Sequence, residues 1–138
     1  MEENEISLDD IMPVDLDHAI VILTEIYASS LETIGKMSER EFMSATHHSA
    51  GMAIRNAWKL WWSDDTSRGW SAIKPQIVAW FNGIDIYHAD DMSGIIMTSF
   101  HRSATGKSRD MEGQLKVYRK HWLKQGFKDG IYDQNRRS

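Results

Sequence analysis

From Asp15 to Gly126 the apolar residues of this chain recur at spacings of three and four, and start and stop signals punctuate them. That period commits the backbone to helices, because a half-buried strand would alternate by two. Asp15 is a natural cap for a stripe of Leu16, Ala19, Ile20, Leu23, Ile26 and Tyr27. A short helical piece follows over Leu31 to Lys36. Ser38-Glu39-Arg40-Glu41 reads as a capping box and predicts the longest helix, running to about Trp62. Ser63 to Gly69 is a turn-rich break. Pro75 suits the first turn of a helix that holds Ile77, Val78, Trp80 and Phe81 and stops at Asn82-Gly83. Ile84 to Tyr87 is a connector or at most one short extended segment. A fifth helix is expected from Asp90 or just before it to near Gly106, and a sixth from Asp110 to Gly126. The expectation is a compact all-α single domain of five or six helices. Residues 1–12 read as a flexible acidic leader, 13–126 as the helical domain and 127–138 as a tail.

Six Trp and eight Met are many for 138 residues, and there is no Cys. Disulfides, thiolate metal sites and Cys nucleophiles are therefore excluded together. The start lacks the order of a signal peptide, and no apolar run nears the roughly 18 residues that span a bilayer. A cytoplasmic protein without membrane contact is expected. Charge is uneven: residues 1–41 carry eleven acids and two bases, whereas residues 101–138 carry ten bases and four acids. Either these ends attract each other, or the basic end serves a phosphate-bearing or acidic partner. The overall charge of −4 speaks against general nucleic-acid binding, which rests on backbone neutralisation.

Two segments carry His, Arg, Asn or Asp where a plain core helix would carry Leu and Ala. They are His47 to Trp58 and His88 to Arg102. Enclosed polar groups need partners, so the segments form an internal network or a site. In the first, His47, Gly51, Arg55 and Trp58 share one side, and a mid-helix Gly allows close approach. Three tryptophans at 58, 61 and 62 are too many to bury on one face. Arg55 offers a planar fork for phosphate or carboxylate, and an indole offers a stacking face. In the second, Asp90 and Asp91 suit a helix start, and His101 and Arg102 suit its last turns.

These are metal-ligand types, but no tight ligand spacing is present, and adjacent His47 and His48 point about 100° apart on a helix. No Gly-x-Ser-x-Gly elbow or Gly-rich phosphate loop occurs either. The expectation is no metal, no cofactor and no catalytic residue.

The run His-x-Ser-x-Gly-Met-x-Ile-Arg-Asn-x-Trp from His47, with Asp-Asp-Met-Ser-Gly-Ile-Ile and Ser-Phe-His-Arg further on, resembles a family of small uncharacterised bacterial and phage domains. The resemblance covers roughly residues 13–107. It implies a fold and a residue set rather than an activity: His47, Ser49, Gly51, Arg55, Asn56, Trp58, Asp90, Asp91, Ser93, His101 and Arg102. This chain departs at Ser63 to Arg68, where a shorter Gly-containing turn is expected, and from Asp110 onward.

The functional expectation is a small non-enzymatic binding protein of a phage or bacterial conflict system. It engages a partner protein or a nucleotide-type ligand through His47, His48, Arg55, Asn56, Trp58, Asp90, Asp91, His101 and Arg102. Homo-oligomerisation stays open. The alternative is a phosphoester- or nucleotide-directed hydrolase using His and Asp as acid-base groups or metal ligands.

Overall fold

The computed structural model describes residues 7–63 and 73–132. Among them the chain forms α1 (Leu16–Ile26), α2 (Leu31–Lys36), α3 (Glu39–Thr46), α4 (Ala50–Ala57), α5 (Gln76–Asn82), α6 (Ala89–Ala104) and α7 (Met111–Lys124), with no strand. The all-α expectation holds, but there are seven helices rather than five or six. The extra one arises where the expected long helix breaks over residues 47–49.

That break has a local cause. Thr46 and Ser49 hydroxyls donate to the carbonyls of Phe42 and Ala45, competing with the helix ladder. The His47 carbonyl, which an uninterrupted helix would give to the Gly51 amide, accepts instead from Arg55 Nη2 at 3.1 Å. Ser49 accordingly leaves helical geometry at φ −116° and ψ −91°. The second departure is the end of α4 at Ala57 rather than Trp62. There Lys59 turns left-handed at φ 55°, and the Leu60 amide returns to the Arg55 carbonyl at 3.0 Å. This is the six-to-one closure that ends many helices.

Other signals act as expected. Asp15 caps α1, Ser38 and Glu41 complete the capping box on α3, and Asp110 caps α7. Gly106 and Gly126 take positive φ just beyond α6 and α7, a conformation cheap for glycine alone.

The centre of the molecule is α6. Eleven of its sixteen residues are buried, so it is enclosed nearly all round. It packs against α1, α2, α3 and α4. Leu16, Leu23, Ile34, Phe42, Ile54 and Trp58 belong to the same core as its Met92, Ile95, Ile96 and Phe100, and α5 adds Ile77, Val78 and Phe81. The last side is closed by α7 through a polar seam. Trp122, Tyr118 and Gln114 meet Asp91, Gly94 and Ser99 in turn, so the two helices run antiparallel.

Both ends of the described chain are tied down. Residues 7–12, assigned above to the leader, form a strap whose Leu8 carbonyl accepts from Trp58 Nε1 at 3.1 Å, with Leu8 and Ile11 against the core. After α7, Phe127 is buried and a 3-10 turn at Lys128–Gly130 brings Tyr132 onto Trp122, 4.5 Å between ring centres. Of the turn-rich break, all but Ser63 lies outside the described residues, as do 1–6 and 133–138.

The strap bond gives a test. Trp58→Phe keeps a core ring but removes the donor to Leu8, at an expected cost of about 1 kcal/mol in urea unfolding. Amide exchange over residues 7–12 should rise more than in the rest of the chain.

Candidate functional site

Most of the sequence-selected polar residues are consumed inside the chain, in three separate places. Arg55 is 1% exposed. Its Nη1 donates to Ser93 Oγ at 2.7 Å and its Nη2 to the His47 carbonyl, while Nε lies 3.5 Å from Asp90 Oδ1. The guanidinium thus locks α4, the 47–49 break and the first turns of α6 together. Its Cζ also lies 5.8 Å from the Trp61 ring centre, and Trp61 Nε1 donates to Asn56 Oδ1 at the surface. Trp58 is fully enclosed. His47 and His48 are exposed, their rings in edge contact at 4.6 Å.

At the other end of α6, buried His101 stacks on Phe42, and its Nε2 meets the Met37 carbonyl at 2.8 Å. A carbonyl only accepts, so Nε2 carries a proton, and Nδ1 is buried with no hydrogen-bond partner among the described residues. Arg102 grips both oxygens of Glu39 at 2.8 and 3.1 Å and donates to the Arg109 carbonyl. The Arg102 bond holds the Glu39 carboxyl below its usual range. Together with Arg109 on Asp17, this pair joins the basic end of the chain to the acidic one.

Asp90 and Asp91 lead elsewhere. With His88 they form one wall of a cleft of about 370 Å³, whose other wall is Val117, Tyr118, His121 and Trp122 of α7. His88 Nδ1 accepts the Asp90 amide at 3.0 Å and so caps α6, while its ring stacks on Trp122. Trp122 Nε1 donates to Asp91 Oδ2 at 2.7 Å. Asp91 is 7% exposed, and burial pushes its carboxyl up against the opposing pull of the Trp122 bond and of His88 and His121. Burial, then the charge of Asp91, raises the Tyr118 phenol to about 12. That phenol stays neutral at physiological pH, and its hydroxyl makes no hydrogen bond among the described residues. It reaches the space over Gly94 that any Cβ would fill.

The cleft therefore combines a half-exposed carboxylate, a buried one with a raised pKa, two imidazoles, a phenol and an indole. No group of three or more His, Asp or Glu among the described residues is placed to hold a metal ion. A second recess of about 490 Å³, between the strap, α1 and α4, is lined chiefly by Leu8, Ile26, Tyr27, Ala53 and Ala57, with Asn56 at its edge. It gathers no comparable set of titratable groups.

The sequence reading reached the α6 half of the cleft and missed its α7 half. Tyr118 and Trp122 of the expected sixth helix are not among the residues singled out from the sequence. Each nevertheless carries a polar handle that needs a partner when buried, and that was the available signal.

The chain belongs to the family described as Domain of unknown function (DUF6794), whose model matches residues 12–104. No curated protein and no solved structure matches it. The DUF6794 match ends with α6, so the helix that closes the cleft lies beyond it. No helix among the described residues is long and apolar enough to cross a membrane.

Two outcomes test this description. Arg55→Ala strands Asp90, Ser93 and the His47 carbonyl, and should cost about 3 kcal/mol or more in urea unfolding. Asp91→Asn preserves the acceptor for Trp122 without a buried charge. Below the ordinary carboxyl value of 3.8 the two proteins should be equally stable. As pH rises through the raised pKa, the wild type alone loses stability, so the Asn variant should become the more stable one near neutrality.

Proposed function

We propose that this DUF6794 protein is a non-enzymatic binding module of a phage or bacterial conflict system, and that its α6–α7 cleft takes a cationic side chain of a partner protein. One observation carries the reading: Asp91 keeps a carboxyl where a neutral amide would serve the same indole at less cost. Retaining a group that burial disfavours is characteristic of sites, where stability is traded for chemistry. An entering ammonium or guanidinium would restore the charge that burial discourages. Asp90 stands half-exposed beside it, and the free Tyr118 hydroxyl offers a further acceptor.

The cleft favours a protein partner over a nucleotide-type ligand. Among the described residues its lining holds no Arg or Lys, and its carboxylates repel phosphate. Arg55, Trp58, His101 and Arg102 then support the site through the fold rather than by contact. The hydrolase alternative draws on one specific feature, the raised carboxyl of Asp91 between His88 and His121, which suits a general acid.

The test follows the Trp122 indole N–H by NMR while arginine amide is added. Wild type should show a saturable shift, and Asp91→Asn should bind at least about tenfold more weakly while remaining folded. An unchanged affinity would refute the cation reading. Turnover of a chromogenic phosphodiester, lost in the same variant, would favour the hydrolase.

A further inference from the structure

The outer faces of α1 and α7 are complementary in sign and period. On α1 the exposed residues are Asp17, Val21, Thr24 and Glu25, a narrow acidic stripe with a Val 55% exposed at its middle. On α7 the outward side carries Lys116, Lys120, Leu123 and Lys124 after Glu112 in the first turn, flanked by Arg119 and Val117, with Val117 65% and Leu123 57% exposed. None of these four α7 lysines and arginine at 116, 119, 120 and 124 pairs with a carboxylate among the described residues. Asp17 to Glu25 and Lys116 to Lys124 each span eight positions, about 12 Å of helix. Asp17 and Glu25 thus match Lys116 and Lys124 in spacing, with Val21 midway along one stripe and Lys120 midway along the other.

The two stripes also occupy neighbouring places. Both helices rest on α6, and Arg109, just before α7, bonds Asp17 in the first turn of α1 at 2.6 Å. A patch that contains both a surface and its complement pairs with itself under a two-fold rotation and closes, without leaving a free end for further growth.

We propose that two copies of this chain form such a dimer, α1 of each lying along α7 of the other. Its contacts are chiefly charged and solvent-edged, so it is reversible and salt-sensitive. The cleft opens on the flank of α7 that carries Val117 and His121, beside the dimer contact.

Sedimentation equilibrium on the full chain tests this. Wild type should show a concentration-dependent dimer whose dissociation constant rises about tenfold between about 0.05 M and about 0.5 M salt. Lys116→Glu, Lys120→Glu and Lys124→Glu together should abolish it, as should Asp17→Lys with Glu25→Lys. All five side chains are exposed; the triple lysine variant should melt as the wild type does, while Asp17→Lys also gives up the Arg109 pair, so the folding of that variant is checked by its helical circular dichroism. Mixed in equal amounts, the two variants should dimerise again, because every contact then regains opposite charges. A monomeric wild type at all concentrations, a dimer that survives either reversal, or a mixture that stays monomeric would overturn the proposal.

Discussion

The structure depends on the enclosure of α6. A helix enclosed nearly all round can send few of its polar residues to water, so its neighbours must supply partners. Ser93 and Asp90 are met by Arg55 of α4, His101 by the Met37 carbonyl, Ser99 by Gln114 and Asp91 by Trp122. The helices around α6 are thus fixed by directional bonds as well as by apolar packing. Arg55 illustrates the coupling. By taking the His47 carbonyl it separates α3 from α4, and by reaching Ser93 it docks α4 on α6.

Where enclosure is incomplete, chemistry becomes available. At the first turns of α6 the cover supplied by α7 leaves a gap, so His88, Asp90 and Asp91 stand at the wall of a cleft rather than in a sealed interior. The polar seam between α6 and α7 changes character along its length. At Gln114 and Ser99 both members are buried and bonded, whereas at Tyr118 the hydroxyl is unpaired. Gly94 permits this approach, since a side chain there would displace the phenol. The part of the chain matched by the DUF6794 family supplies one wall, and the helix beyond the match supplies the other.

Most helix boundaries were legible because caps and stops are local. Asp15, the Ser38–Glu41 box, Asp110, Gly106 and Gly126 each act within one turn of their own position. The break at 47–49 was not legible, since it needs the side chain of Arg55 to capture a carbonyl eight residues earlier, aided by hydroxyl bonds that also suit a continuous helix. The residues that bond between helices were visible for a similar reason: polar residues among apolar ones stand out in any sequence. Which of them would be struts was hidden. Arg55, His101 and Arg102 have the same donors whether they face a ligand or a neighbouring helix.

The sequence by itself determined the helical class, the caps at Asp15, Ser38 and Asp110 and the opposition of an acidic start to a basic end, because period, capping chemistry and charge are properties of short stretches. Only the tertiary structure decided that α6 is the enclosed helix, that Asp90 and Asp91 part company with Arg102 and His101, and that Tyr118 and Trp122 complete the cleft. Those outcomes rest on contacts between residues far apart in the chain, as in the bond from Trp122 to Asp91, 31 positions away. Such contacts are settled by how whole helices pack, and no local pattern records them.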